Sequence, residues 1–184
     1  MGTGIVDKLK QEFPLEDTWV SYEIHPETPP EGVLLERLFG PGVRQGQESQ
    51  RRRCVELGLP FEGPRILSNS RLVVEASEFA RDAGKHPLFH RAALVAYFAH
   101  SRDIGDIEVL SELAADIGLD TAALRQDLAA GRYAGRRTAA GDEARGLGIT
   151  GVPTFIFPGG TRVVGAQSLD DFRRLLDGFP AEEG

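Results

Sequence analysis

The segment 149–157 and the turn after it limit what this chain can fold into more than any other stretch. Two short runs of β-branched and aromatic residues flank Pro158-Gly159-Gly160, a spacing that predicts a β-hairpin near the C-terminus. Pro153 opens the first strand, where a residue that cannot donate to a ladder is tolerated. Spacing alone fits an ordinary edge proline as well as a cis X-Pro bond, which occurs in roughly 5% of such pairs.

A helix is predicted directly after the hairpin. Ser168 to Asp171 has capping-box spacing ahead of Phe172, Leu175 and Leu176. Strand, strand and helix, with Val-Pro at the entrance, resemble the C-terminal half of a thioredoxin-like fold. That resemblance implies a cis proline facing a redox dithiol.

The N-terminal residues predict one helix and one strand. Ile5, Leu9 and Phe13 recur at four-residue intervals, one face of a short helix that Pro14 stops. The alternating aromatic and β-branched residues of 18–24 are typical of a strand. A proline-rich segment follows that cannot continue a ladder.

Residues 33–148 are predicted to be helical almost throughout. Ser70, Asp106 and Asp120 are candidate N-caps, since short polar side chains accept hydrogen bonds from the first helical amides. We therefore interpret the chain as an incomplete thioredoxin-like α/β core, 1–32 and 149–184, with a large all-helical insertion subdomain, 33–148, and no first core strand. The predicted helices span 33–39, 43–59, 70–84, 87–98, 107–117, 121–128 and 133–147.

Composition excludes several classes of function. Twenty-eight acidic against 21 basic residues give a net charge of −7, which argues against a nucleic-acid surface. No apolar run approaches the roughly 20 residues that span a bilayer. The first residues lack a charged-then-apolar signal pattern, so we expect a cytoplasmic protein without membrane association.

The cysteine and histidine residues of the chain do not form a complete catalytic or metal-binding motif. Cys54 is the only cysteine, so no disulfide or Cys-x-x-Cys pair can form within these 184 residues, and we expect it to be a half-buried helix residue. His86 and His90 are four apart on one helix face, but no glutamate follows the first, so we expect surface or half-buried histidines. We predict no catalytic residue, metal ligand or cofactor in this chain.

Several stretches together resemble the DsbA-like family of thioredoxin-fold oxidoreductases, in particular its cytoplasmic polyketide-biosynthesis-type dithiol–disulfide isomerases. The similarity covers the whole chain in the expected order, and Gly-Val-Pro-x-Phe followed by Gly-Ala-Gln is its most specific part. The matching segments are 9–13, 24–32, 56–59, 67–70, 96–98 with 103–104, 148–155 and 165–167.

The resemblance also shows what is missing. In the family a first strand ends in Cys-x-x-Cys just before the helix equivalent to 5–13, and the kappa glutathione transferase branch has a serine there; this chain has neither. Losing a central strand of ~5–6 residues removes two ladders and apolar contacts worth ~1.5–3 kcal/mol each. We expect either an upstream strand with the dithiol, or a remnant whose gap is closed by rearrangement, a partner or a homo-oligomer.

The family function implied is thiol–disulfide oxidoreduction or isomerisation, with this chain alone inactive. The alternative is a non-catalytic or partner-dependent module that uses the same groove. A thiol or disulfide substrate, peptide or small molecule, is expected at Thr150, Gly151, Val152 and Pro153, through short strand addition ahead of the proline. Asn69 and Gln167 are expected to be structural or to line the groove.

Overall fold

The computed structural model describes residues 1–179, so the last five residues of the predicted 149–184 segment lie outside the described part. Single 3₁₀ turns at Gly40–Gly42 and Pro158–Gly160 accompany the helices and strands. None of the described helices is long and apolar enough to cross a membrane. In chain order the elements are α1 Gly2–Leu9, β1 Val33–Leu34, α2 Leu35–Phe39, α3 Val43–Glu56, β2 Ile66–Leu67, α4 Arg71–Asp82, α5 His86–His100, α6 Ile107–Asp116, α7 Thr121–Ala129, α8 Ala134–Gly146, β3 Thr154–Ile156, β4 Arg162–Val164 and α9 Leu169–Leu176.

One hydrophobic core lies under the C-terminal hairpin. β3 and β4 pair antiparallel with Phe155 opposite Val163, and that face of the hairpin packs on α1 and α9. The Phe155 and Phe172 rings meet at 4.7 Å in an edge-to-face arrangement, which aromatic quadrupoles favour. Ile5 of α1 is fully buried in the same cluster. The predicted hairpin and following helix are confirmed.

A second core lies between the helices of the 33–148 segment. Its apolar side chains come from α4, α5, α6 and α7, because each of these helices has one apolar stripe that must be buried against its neighbours. Phe89, Leu110 and Leu124 are fully buried at its centre. This core and the hairpin core are separate clusters of buried residues.

Side-chain caps determine where several of the helices begin. Asp106 and Asp120 accept from the amides of Glu108 and Ala123, and Ser168 forms the predicted reciprocal capping box with Asp171. These three predictions are confirmed.

The prediction that the Ser70 side chain caps α4 is wrong. Ser70 occupies the N-cap position but its side chain makes no capping bond. Asn69, one residue earlier, accepts from the Arg71 amide at 3.0 Å and donates to the Thr28 carbonyl at 2.5 Å. An amide side chain can donate and accept at once, so it caps the helix and anchors the 25–32 loop.

Helix α1 begins and ends earlier than predicted, spanning Gly2–Leu9 rather than 5–13. Residues 10–12 form turns ahead of Pro14. Gly4 packs so closely on the segment after α3 that a Cβ there would lie 2.8 Å from Leu59 Cδ1. The two N-terminal glycines, poor helix formers in sequence, are helical here because this close packing requires small residues.

The strand predicted at 18–24 does not form. The segment has no regular secondary structure, and its backbone amides make no backbone hydrogen bond within residues 1–179. A strand needs a neighbour to complete a ladder, and β3, the first strand of the hairpin, pairs with β4 alone among the described residues. The strand predicted from the alternating pattern is therefore wrong.

A small sheet that was not predicted lies in the segment expected to be all-helical. Val33 pairs with Leu67 and Leu34 with Ile66, antiparallel. Gly32, just before β1, has φ +70°, and a Cβ there would lie 2.8 Å from the Leu67 carbonyl oxygen. Glycine therefore permits both the left-handed backbone and the close approach. Strands of two residues are too short for periodicity to reveal.

A buried ion cluster holds the extended 18–24 segment to the helices. Arg137 of α8 donates to Glu23 at 2.6 Å and to Glu75 of α4 at 2.9 Å. Both carboxylates are buried and the guanidinium is mostly so. Arg81 of α4 adds a hydrogen bond to the Trp19 carbonyl. Side chains thus position this segment where a ladder does not.

We expect Arg137→Met to lower the free energy of unfolding by about 3–5 kcal/mol, because it leaves two buried carboxylates without their cation. Arg145→Met is the matched control on the same helix. Its pair with Asp142 is exposed, so we expect a loss of at most about 1 kcal/mol. Urea denaturation of both variants measures the difference, and equal losses would contradict the assigned role of Arg137.

Candidate functional site

The loop of residues 150–153 lies against the N-terminus of α1. The Val152–Pro153 peptide bond is cis. A Cβ added to Gly2 would lie 3.1 Å from Pro153 Cβ and 3.4 Å from the Trp19 indole. The first turn of α1, the proline and the tryptophan therefore meet at one point, and Gly2 leaves the space that lets them do so.

Two of the four loop residues have their carbonyls bonded within the fold. The Pro153 carbonyl accepts from the Gly165 amide at 2.8 Å, and the Gly151 carbonyl accepts from the Thr154 hydroxyl at 2.7 Å. Val152 differs, since neither its amide nor its carbonyl has a hydrogen-bond partner within residues 1–179. Its side chain is 58% exposed. Val152 therefore presents a free donor, a free acceptor and an apolar side chain to solvent.

The outer edge and face of the hairpin are also open. β3 pairs only with β4, so its other edge carries no ladder within the described part of the chain. Ile156 and Val164, on the face opposite Phe155, are exposed. An unpaired strand edge with apolar neighbours is a ready surface for another strand.

The two residues expected to be structural or groove-lining lie in different places. Gln167 is exposed beside β4 and donates to the Val164 carbonyl at 2.8 Å. Arg53 of α3 hydrogen-bonds the neighbouring Ala166 carbonyl, which ties α3 to this loop. Asn69 is buried, and its oxygen and nitrogen are both bonded inside the protein. Asn69 therefore has a structural role, while Gln167 remains near the hairpin surface.

Cys54 is more buried than expected, with 3% of its surface exposed. Burial raises the pKa of its thiol, with the N-terminal ammonium group acting in the opposite direction. A buried thiol with a raised pKa forms little thiolate at neutral pH and is a poor nucleophile. The chain's only cysteine is thus not an exchange thiol in this fold.

His86 is buried, with 5% exposure, rather than near the surface as the helical spacing suggested. Its Nε2 lies 2.9 Å from the Arg81 guanidinium, which can only donate. Nε2 must therefore accept, and the imidazole is neutral with its proton on Nδ1. Burial, together with the nearby Arg81 charge, lowers the pKa of His86.

The pKa of His90 is lowered further than that of His86. Burial lowers its pKa to about 4, with smaller contributions from His86 and Arg91. Its Nε2 is buried and has no hydrogen-bond partner within the described residues. The ring lies between Trp19, at 5.0 Å between centroids, and His86, at 5.8 Å. No cluster of three metal-ligating side chains occurs within residues 1–179.

Sequence reasoning missed that Trp19, His86 and His90 come together. The signals were present, a four-residue histidine spacing and a lone tryptophan in an extended segment. What joins them is the packing of the 18–24 segment onto α5, and no local pattern reports that contact.

We expect acid to destabilise the protein through His90. Above pH 6.5 the His90 imidazole is neutral in both the folded and the unfolded state. Below pH 6.5 it is protonated in the unfolded state, whereas in the folded state it stays neutral down to about pH 4. The free energy of unfolding should therefore fall as pH drops from 6.5 towards 4.

Urea denaturation at several pH values measures this fall for the wild type and for His90→Phe, which keeps a ring but cannot be protonated. The variant should lose less stability across the same window. Equal losses in both proteins would show that His90 does not carry the effect.

The fold and site together define a class. A cis-proline hairpin packed on two helices, with a helical segment connecting to it, is the architecture of thioredoxin-like proteins with a helical insertion. A model of the DSBA-like thioredoxin domain matches residues 24–177. The chain therefore belongs to the DsbA-like thioredoxin family.

Individual relatives agree with this assignment. The uncharacterized protein YwbO of Bacillus subtilis is 28% identical over 166 residues, covering 88% of this chain and 81% of that protein. The crystal structure of the probable DsbA oxidoreductase SCO1869 of Streptomyces coelicolor superposes with a TM-score of 0.86 at 27% identity, covering 95% of this chain and 81% of that one. A 2-hydroxychromene-2-carboxylate isomerase shares the fold, with a TM-score of 0.73 at 15% identity over 95% of this chain and 84% of that one.

Proposed function

We propose that the chain is the substrate-binding part of a DsbA-like thiol–disulfide oxidoreductase or isomerase, and that these 184 residues bind substrate without carrying out exchange. The observation that carries the proposal is Val152, whose backbone donor and acceptor are free and whose side chain is exposed beside Pro153 and the start of α1.

An extended peptide suits this surface. A substrate strand can accept from the Val152 amide and donate to its carbonyl, as strand addition requires. The exposed valine side chain then packs against the peptide, and Gly151 and Thr150 continue the contact. A thiol or disulfide in that peptide would lie next to the N-terminus of α1, where the helix dipole stabilises a thiolate.

Exchange itself requires a second component. Thiol–disulfide exchange begins with an accessible attacking thiolate, and Cys54 is buried with a raised pKa. We propose that a strand ending in a Cys-x-x-Cys pair, not among these residues, occupies the space between the 18–24 segment and β3. The lack of any ladder partner for residues 18–24 and the unpaired outer edge of β3 support this placement.

The first test is turnover. We expect the 184-residue chain to leave the rate of insulin reduction by dithiothreitol at its uncatalysed value. A designed strand ending in Cys-x-x-Cys, fused ahead of Met1, should produce catalysis. Catalysis by the unextended chain that Cys54→Ser abolishes would contradict the proposal. A fused chain that folds and binds peptide but stays inactive would favour the non-catalytic binding module, which the single cysteine also suits.

The second test is binding. We expect Val152→Asp to weaken the binding of a labelled, thiol-blocked insulin B-chain peptide by about tenfold or more, since burying a valine contributes ~1.5 kcal/mol. Val55→Asp is the matched control, a valine on α3 that is 68% exposed against 58% for Val152, and should bind like the wild type. Fluorescence polarisation measures both. Unchanged affinity of the Val152→Asp variant would show that the loop of residues 150–153 does not bind the peptide.

A further inference from the structure

Arg162 lies on the exposed face of the C-terminal hairpin. It is opposite Ile156 in the β3–β4 ladder, and residues opposite each other in a ladder share one face of the sheet. Its guanidinium donates to the carbonyl of Leu147, the residue that follows α8. The loop of residues 150–153 comes shortly after Leu147 in the chain. The charge of Arg162 therefore lies at the N-terminal side of this loop.

Arg53 lies at the other side of the same loop. It donates to the Ala166 carbonyl, and the preceding Gly165 amide donates to the Pro153 carbonyl at 2.8 Å. Burial lowers the pKa of the Met1 ammonium group at the start of α1, and the nearby Arg53 charge lowers it further. The two guanidinium groups therefore flank the loop, one before it and one after it.

Neither arginine is neutralised by a carboxylate within residues 1–179. Their hydrogen bonds in this part of the chain go to backbone carbonyls only, and both side chains are exposed. The carboxylates in the first turn of α9 are already paired with arginines of that helix. A guanidinium has five N–H donors, so Arg53 and Arg162 each keep unused donors beside the loop.

The surface between the two arginines is uncharged. Residues 149–160 contain no charged side chain. Val152, Ile156 and Val164 are exposed there. An extended partner on this surface thus meets apolar side chains in the middle and a cation at each side. A carboxylate matches such a cation, because a guanidinium binds it through two parallel hydrogen bonds.

We propose that the peptide bound at Val152 is acidic, with a carboxylate on each side of its central residue, one for Arg53 and one for Arg162. This inference rests on the proposed function, because it names the class of peptide that the same site takes. Backbone pairing with Val152 is available to any sequence, so selection among peptides must come from side chains. Arg53 and Arg162 are then the residues that determine specificity.

Two labelled peptides test the preference for acidic sequences. Both carry a central S-methylcysteine, flanked on both sides by glutamate in one peptide and by glutamine in the other. We measure binding by fluorescence polarisation at about 0.1 M salt, where charges more than ~10 Å away are largely screened. The glutamate peptide should bind about three- to tenfold more tightly, the effect of two exposed ion pairs. Equal affinity for the two peptides would overturn the proposal.

Substitution assigns the preference to the two arginines. The double variant Arg53→Gln/Arg162→Gln should bind both peptides equally. Arg37→Gln/Arg52→Gln is the matched control, because it removes the same charge from two exposed side chains of α2 and α3, and it should keep the preference. A preference that survives in the first variant, or that the control also loses, would overturn the assignment.

Arg162→Gln alone keeps the test informative if the double variant does not fold. It removes one of the two cations and should reduce the preference for the glutamate peptide. An unchanged preference in the folded variant would overturn the role of Arg162.

The glutamine peptide separates this inference from the proposed function. If Val152→Asp binds this peptide like the wild type, the proposed function fails. If Val152→Asp loses it while the wild type binds both peptides equally, only the preference for acidic peptides fails.

Discussion

The side-chain contacts that hold residues 18–24 to the helices are the interaction on which the rest of this structure depends. Residues 18–24 run beside the core but pair with no strand among the described residues, so their position depends on side chains from the helices. Arg137 binds the Glu23 carboxylate and Arg81 binds the Trp19 carbonyl. These contacts hold the segment to α4 and α8. The charged side chains hold this segment in place, while its own backbone amides make no backbone hydrogen bond among the described residues.

The same open arrangement explains the candidate site. The free edge of β3 and the unpaired backbone of Val152 lie on the hairpin, which packs firmly on α1 and α9 through Phe155 and Phe172. A rigid support beneath an unpaired surface suits recognition of an extended partner.

Much of the candidate site follows from local sequence. The hairpin and the capping box at Ser168 have short-range signals, because turns and caps depend on a few neighbouring residues. The loop at 150–153 was predicted from the family resemblance. The strand predicted at 18–24 failed because strand formation requires a partner elsewhere. Asn69 was predicted to be structural or to line the groove. Its hydrogen bonds to the Thr28 carbonyl and the Arg71 amide could not be predicted, because the first joins distant segments. Nothing local indicated that His86 would be buried.

The sequence by itself determined the helices, the hairpin and the absence of a cysteine pair, since each depends on composition or on residues a few positions apart. It also supported the DsbA-like resemblance that residues 24–177 bear out. Only the tertiary structure decided that Val152 keeps a free backbone, that Cys54 is buried away from exchange chemistry, and that Trp19 meets His90. The reason is physical: burial and pairing arise where distant segments pack together, and the same residues in another packing would have different partners.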